Sequence, residues 1–144
     1  MISAVAIETG LGSFIADFGS THVFNPSWNP HSRFHAAVGV FVSAGLMVLS
    51  LVCAWRRSGD ARFNLQMAAW LAALFMGSFI PAGFLPGSGY DEPGLPRPVV
   101  LGLMAPQLFM AIISMIVVLA GYLLARPASA ATPPRASTSP SGES

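Results

Sequence analysis

Residues 36–55 read AAVGVFVSAGLMVLSLVCAW, an uncharged run that ends in a tryptophan. Two later runs have the same character: LQMAAWLAALFMGSFIPAGFL at 65–85 and VVLGLMAPQLFMAIISMIVVLAGYLLA at 99–125. A helix of about 20 apolar residues crosses the hydrocarbon core of a bilayer, which is about 30 Å thick. The three runs therefore predict three transmembrane helices.

The N-terminal segment, MISAVAIETGLGSFIADF at 1–18, is apolar on balance but carries Glu8 and Asp17. It has neither the positive start nor the small-residue cleavage motif of a secretory signal peptide. We predict that it forms a fourth transmembrane helix, shorter than the others. A helix that lies in the membrane interface is the alternative.

The composition of the whole chain agrees with a membrane bundle. Of the 144 residues, 53% are hydrophobic and 9% are charged, with a mean hydropathy of +0.63, whereas a soluble domain carries about 25% charged residues. We predict an all-α, polytopic membrane protein in which residues 1–125 form a bundle of four transmembrane helices, at about 2–18, 30–56, 63–85 and 98–125. Residues 126–144 are rich in Pro, Ala, Ser and Thr and predict a disordered tail.

Charge and cysteine content narrow the classes of function. A net charge of +1 gives no reason to expect a nucleic-acid partner. The expected partners are the lipid bilayer and a lipophilic small molecule. The single cysteine, Cys53, can form no intrachain disulfide, and the absence of a C-x-x-C motif excludes dithiol redox chemistry.

The arginines predict the orientation of the chain in the cell membrane. There are seven arginines and no lysine, and five of them lie in the 56–63 connection or after the last apolar run. Only Arg33 and Arg97 fall in the other two connections. By the positive-inside rule, we expect a multi-pass protein with a cytoplasmic 56–63 loop and cytoplasmic N- and C-termini. The connections at 19–33 and 86–98 then face outward.

Two prolines, Pro81 and Pro106, fall inside the third and fourth predicted helices. Proline removes a backbone hydrogen bond and kinks a helix. The functional interpretation is that the paired kinks open a cavity toward the outer face. The alternative is the ordinary proline content of membrane helices.

All three histidines lie in the segment HVFNPSWNPHSRFH at 22–35. Asn29 and Pro30 predict a helix start, which places His31 and His35 on one helical face and Arg33 on roughly the opposite face. The positive end of the helix dipole disfavours imidazolium there, and neutral histidines suit metal ligation or general-base chemistry. A loop that folds back would bring Asp17, His22, His31 and His35 together at the outer membrane interface.

Three interpretations of these four residues stay open. His22, His31, His35 and Asp17 would suit a Zn²⁺ or Fe²⁺ site. They would also suit acid–base chemistry on a lipophilic substrate. In the third interpretation, that of a non-enzymatic membrane module, they only tie the first loop together.

We expect the acid–base interpretation, although whether the chain is an enzyme stays open. In it, His31 and His35 carry protons, Asp17 orients one of them, and His22 completes the pocket. The reaction would be isomerisation or cyclisation of an isoprenoid-like molecule, without a metal cofactor. Candidate ligand-binding residues are Trp28, Asn25, Arg33, Gln107 and Glu8.

The run DFGSTHVFNPSWNPHSRFH at 17–35 resembles the first-loop signature of a bacterial family of small four-helix membrane proteins of unknown function. The matching elements are Asp17, Thr21-His22, Phe24-Asn25-Pro26, Trp28, Pro30-His31 and Arg33-Phe34-His35. This resemblance implies a four-helix topology and a special first loop, and it implies no activity. The chain is more loosely similar to the emopamil-binding and sterol-isomerase superfamily, whose small helical bundles hold a lipophilic, often cationic ligand. No catalytic residue carries over from that superfamily.

Overall fold

The computed structural model describes residues 1–90, 99–100, 102 and 104–126 and is all-α. It contains four helices, which are α1 (Ile2–Asp17), α2 (Pro30–Trp55), α3 (Ala61–Ala82) and α4 (Pro106–Ala125). Helices α2, α3 and α4 are long and apolar enough to cross a membrane. The 16 residues of α1 extend about 24 Å, which is less than the thickness of a bilayer core.

Two helix starts follow from capping side chains. The Asn29 side chain accepts a hydrogen bond from the Ser32 backbone N–H at 2.9 Å, and Pro30 occupies the first position of α2, as the sequence predicts. Asp60 accepts hydrogen bonds from the Arg62 N–H at 2.8 Å and from the Phe63 N–H at 3.2 Å. This cap starts α3 two residues before the predicted position.

The fourth helix begins at Pro106, so the prediction of a helix from about residue 98 and of a kink at Pro106 is wrong. Gly102 has a φ of +67°, which ends any helical path before Pro106. Val100 and Met104 pair through two backbone hydrogen bonds of 2.9 and 3.3 Å and close a turn there. Proline suits the first position of a helix because its missing N–H needs no partner at that point. Pro81, by contrast, does lie inside α3, one residue before its end.

Consecutive helices run antiparallel. The Trp55 indole at the end of α2 donates to Ser3 Oγ at the start of α1, at 3.2 Å. Gly121, near the end of α4, packs against Met1 and Ile2. Helices α1 and α3 are central: α2 and α4 lie on opposite sides of them and make no contact with each other in the described part of the chain.

Small side chains hold the helices together. Ala6, Ala68 and Ala111 are fully buried, and buried Ser50 donates from its Oγ to the Ala68 carbonyl across the α2–α3 contact at 2.9 Å. Close contacts and hydrogen bonds of this kind are typical of helix association in lipid, where no hydrophobic force acts between helices. Large apolar side chains instead point outward, as expected of a surface in contact with lipid: Phe41, Val52, Trp70, Ile116, Leu119 and Leu124 are exposed.

The prediction of a disordered tail lies outside the described residues from position 127 onward. Most of the second connection predicted to face outward, residues 91–98, also lies outside them.

Candidate functional site

A cavity of about 660 Å³ opens between α1, α3 and α4, at the end of the bundle where α1 ends and α4 begins. At the opposite end Gly121 lets α4 approach α1 closely, because a Cβ there would lie 2.9 Å from the Met1 Cβ. At the cavity end α1 offers the small residues Gly12, Ser13 and Ala16, which do not fill the space toward α4. The cavity is lined by Glu8, Gly12, Ser13, Ala16, Asp17, His22, Phe75, Met76, Ser78, Phe79, Ala82, Gly83, Ser88, Gly89, Tyr90, Pro106, Gln107 and Met110.

The carboxyl group of Glu8 marks the deep end of the cavity. Glu8 lies nine residues before the end of α1, about 13 Å along the helix axis from Asp17. Ser114 on α4 donates from its Oγ to Glu8 Oε2 at 3.4 Å. This contact links α1 and α4 where the cavity closes.

Asp17 and His22 lie side by side at the mouth of the cavity. His22 Nδ1 lies 3.7 Å from Asp17 Oδ1, an ion-pair distance that is too long for a hydrogen bond. The same nitrogen lies 3.0 Å from Thr21 Oγ1. Asp17 is not part of any of the three candidate membrane spans. Burial raises the pKa of its carboxyl, and attraction to His22 offsets part of that rise.

Tyr90 and Gln107 close the cavity between the end of α3 and the start of α4. The Tyr90 hydroxyl donates to the Phe79 carbonyl at 2.8 Å, and Gln107 Nε2 donates to the Tyr90 carbonyl at 3.3 Å. Gly83 leaves the space that the Tyr90 hydroxyl occupies, because a Cβ at residue 83 would collide with it. Gln107, which the sequence predicts to lie well inside a helix, lies in the first turn of α4.

The first loop, residues 18–29, is held by its own hydrogen bonds. Buried Asn25 donates from Nδ2 to the Thr21 carbonyl and accepts from the Ser27 N–H, each at 2.9 Å. Arg33 Nε donates to the Val23 carbonyl at 3.0 Å and so ties α2 to this loop. Asn25 and Arg33, which the sequence predicted as ligand-binding residues, therefore brace the loop and do not line the cavity.

Trp28 supports the site indirectly. Its ring packs edge-on against the His22 imidazole, with the ring centroids 5.4 Å apart. It does not line the cavity, so its contact with His22 is its link to the site.

His31 and His35 form a separate pair on α2. Their Nε2 atoms lie 3.0 Å apart, both side chains are exposed, and neither lines the cavity. Arg33 explains this placement: it turns toward the first loop, and residues two positions away on a helix point to the opposite side. The predicted convergence of Asp17, His22, His31 and His35 is thus not found.

The predicted four-ligand metal site is not formed either. Among the described residues, no group of three or more histidine, cysteine, aspartate or glutamate side chains is placed to hold a metal ion. The four candidate ligands divide into the Asp17–His22 pair and the His31–His35 pair.

Sequence reasoning missed the roles of Tyr90, Ser114 and the aromatic wall formed by Phe75 and Phe79. Ser114 had a usable signal, since it shares a face of α4 with the small buried residues Ala111 and Gly121. No sequence signal pointed to Tyr90, because its contact with α3 depends on the course of a turn-rich connection.

Residues 1–133 match the model of a family of unknown function, DUF6640. No curated protein and no solved structure matches the chain. These comparisons support neither a bacterial origin nor a relationship to the sterol isomerases. Because the match covers 133 of the 144 residues, the chain belongs to the DUF6640 family of unknown function.

Proposed function

We propose that this chain is a multi-pass membrane protein that binds a lipophilic small molecule in the cavity between α1, α3 and α4. The Asp17–His22 pair would carry out acid–base chemistry, such as isomerisation, on that molecule. The observation that carries the proposal is the cavity itself, since it gathers Glu8, Asp17, His22 and Gln107 against a largely apolar wall.

The cavity suits a molecule that is mostly apolar with one polar group. Phe75, Phe79 and Met110 contribute aromatic and thioether surface. The hydroxyls of Ser13, Ser78 and Tyr90 donate to backbone carbonyls, which lowers the polarity of the lining. Small-molecule sites typically combine a concave apolar lining of about 300–1,000 Å³ with a few placed polar groups. The 660 Å³ cavity lies within that range.

Proton transfer would take place at the mouth of the cavity. Histidine is the side chain used most often in general acid–base chemistry, and a nearby carboxylate favours its charged form. His22 and Asp17 supply both groups within 3.7 Å. His31 and His35, which the sequence analysis favoured as proton carriers, have no part in this proposal.

The proposed orientation follows from the arginines. The antiparallel bundle places Arg56, Arg57, Arg62 and Arg126 at one end, opposite the mouth of the cavity. By the positive-inside rule, that end would be cytoplasmic and the cavity would open toward the outer face of the cell membrane. Helix α1 would lie beside the three longer helices as a shorter fourth membrane helix, with Asp17 at the surface.

A second candidate is a non-enzymatic membrane module with a structural first loop. The hydrogen bonds of Asn25 and Arg33 favour this candidate, because both side chains donate to backbone carbonyls of the first loop and so stabilise the loop itself. This candidate predicts no ligand in the cavity, so a binding measurement separates the two.

The test is equilibrium binding of a tritiated isoprenoid alcohol to the chain in lipid nanodiscs. Gly12 lines the cavity, and an added Cβ there would meet only Glu8 Oε1, at 3.8 Å. Gly12→Leu should therefore fill cavity space and abolish saturable binding. Gly45→Leu is the matched control, because position 45 on α2 has open space around it. Equal binding by both variants and the parent would refute the proposed site.

A further inference from the structure

A second concave surface runs between α3 and α4 at the arginine-rich end of the bundle, on the outside of the protein. It encloses about 320 Å³ and is lined by four residues from each helix. On α3 these begin at Gln66 and end at Ala73, and on α4 they begin at Met115 and end at Tyr122. Each set follows the three- and four-residue spacing of one helical face, so the two faces form a continuous groove along the membrane normal.

The groove has a small, buried floor and large, exposed rims. Ala69 and Val118 are buried at its base, whereas Trp70 is 66% exposed and Leu119 is 58% exposed at its edges. Eight residues of helix on each side, with seven steps of helical rise between the first and the last, give it a length of about 10 Å. This shape suits an extended hydrocarbon chain that lies parallel to the helices.

Arginines stand one turn beyond one end of the groove on both helices. Arg62 precedes Gln66 by four residues and so extends the groove face of α3 by about 6 Å. Arg126 follows Tyr122 by four residues, directly after the last residue of α4. Both arginines are exposed, and neither makes an ion pair with a described residue. The Arg126 guanidinium stacks over the Tyr122 ring, 5.7 Å from its centroid, which directs it toward the groove.

We infer that this groove binds an anionic phospholipid, with one acyl chain between α3 and α4 and the phosphate between Arg62 and Arg126. Charge complementarity identifies the occupant, because the apolar groove would hold the acyl chain and the two guanidinium groups beyond its end would hold the negative phosphate. The only carboxylate in the adjoining connection, Asp60, is engaged by the backbone N–H groups of Arg62 and Phe63. Basic pockets between membrane helices are suited to anionic head groups. The inference does not depend on the cavity between α1, α3 and α4.

The experiment is native mass spectrometry of the intact chain with equimolar phosphatidylglycerol and phosphatidylcholine of identical acyl chains. The parent should retain phosphatidylglycerol preferentially. Arg62→Gln and Arg126→Gln should each reduce that preference on the order of fivefold. Arg57→Gln is the control, since it removes the same charge from the same end of the bundle but lies off the groove.

A second measurement locates the acyl chain. In a Trp28→Phe/Trp55→Phe background, Trp70 is the only indole, and it lines the groove. Phosphatidylglycerol brominated on its acyl chain should quench Trp70 more strongly than brominated phosphatidylcholine. Three results would overturn the inference: equal retention of the two lipids, an Arg57→Gln effect as large as that of Arg62→Gln, or a dimer in which Trp70 is shielded from both brominated lipids. The last result would make a second copy of the chain the occupant.

Discussion

Two glycines on α1 give opposite predictions for the stability of the bundle. Gly10 packs against α2: a Cβ there would lie 2.6 Å from Met47 Sδ and 2.7 Å from Met47 Cβ. Gly12 faces the cavity, where the nearest atom to an added Cβ is Glu8 Oε1 at 3.8 Å. The two positions therefore distinguish a filled helix contact from open space.

The magnitudes follow from these distances. Removing a helical glycine favours folding by up to about 1 kcal/mol. Overpacking a close contact costs about 1–3 kcal/mol, and the backbone-anchored Cβ of Met47 cannot move away easily. Gly10→Ala should thus lower the free energy of unfolding by about 1 kcal/mol on balance. At Gly12 the added Cβ has an ordinary contact distance and the cavity leaves room for the rest of a leucine side chain, so Gly12→Leu should leave stability unchanged or raised.

The assay is thermal unfolding in mild detergent, followed by circular dichroism. Gly45→Leu calibrates the gain from helix propensity alone, since position 45 has open space around it. Gly12→Leu should have the same melting temperature as Gly45→Leu, and Gly10→Ala should melt several degrees below the parent. If Gly12→Leu melted as low as Gly10→Ala, the space beside Gly12 would not be open, and the cavity would have to be abandoned.

Three further predictions concern the polar residues. Asp17→Asn should raise the melting temperature at neutral pH. Burial raises the pKa of the Asp17 carboxyl, so the protonated form of this residue stabilises the fold relative to the ionised form. The stabilisation by Asp17 is present below the pKa of the unfolded chain, about 4, and is lost as the pH rises through the pKa of the folded chain. The gain should therefore vanish in melting curves recorded near pH 4, and a gain that grew on acidification would contradict the sign. A His31→Ala/His35→Ala double variant should change the free energy of unfolding by less than about 0.5 kcal/mol and should still bind the isoprenoid alcohol, because both side chains are exposed outside the cavity. If the double variant lost binding while His22→Ala kept it, the binding site would lie on α2. Arg33→Ala should lower the free energy of unfolding by about 1–2 kcal/mol, because it removes the hydrogen bond from Arg33 Nε to the Val23 carbonyl. Thermal unfolding measures the change, with Arg57→Ala as the control. Equal destabilisation by the two variants would show that Arg33 does not stabilise the first loop in this way.

The sequence was a good guide to the helices because long apolar helices can be recognised from local properties of the chain. Hydropathy located α2, α3 and α4, and the Asn29–Pro30 pair marked the start of α2. Pro106 was ambiguous, since proline is compatible both with a kinked helix and with a helix start. The positive φ of Gly102 decided between them, and a φ angle cannot be read from a hydropathy pattern.

The candidate site was harder to predict because it depends on how helices face one another. The contact of His31 with His35 followed from their spacing within one helix. The separation of that pair from His22 followed from the Arg33 bond to the Val23 carbonyl, which is a contact between a loop and a helix. Likewise, Glu8, Gln107 and Tyr90 meet at one cavity only because small residues set the packing of α1, α3 and α4.

The most direct test of the central claim is photoaffinity labelling of the parent chain in nanodiscs with a diazirine-bearing isoprenoid alcohol, followed by mass spectrometry of the labelled peptides. The proposed site predicts labels on the cavity-lining residues Phe75, Phe79 and Met110, which an excess of unlabelled alcohol removes. Labels spread over the exposed apolar side chains of α2, and insensitive to competition, would show that the molecule is only dissolved in the bilayer and would contradict the claim.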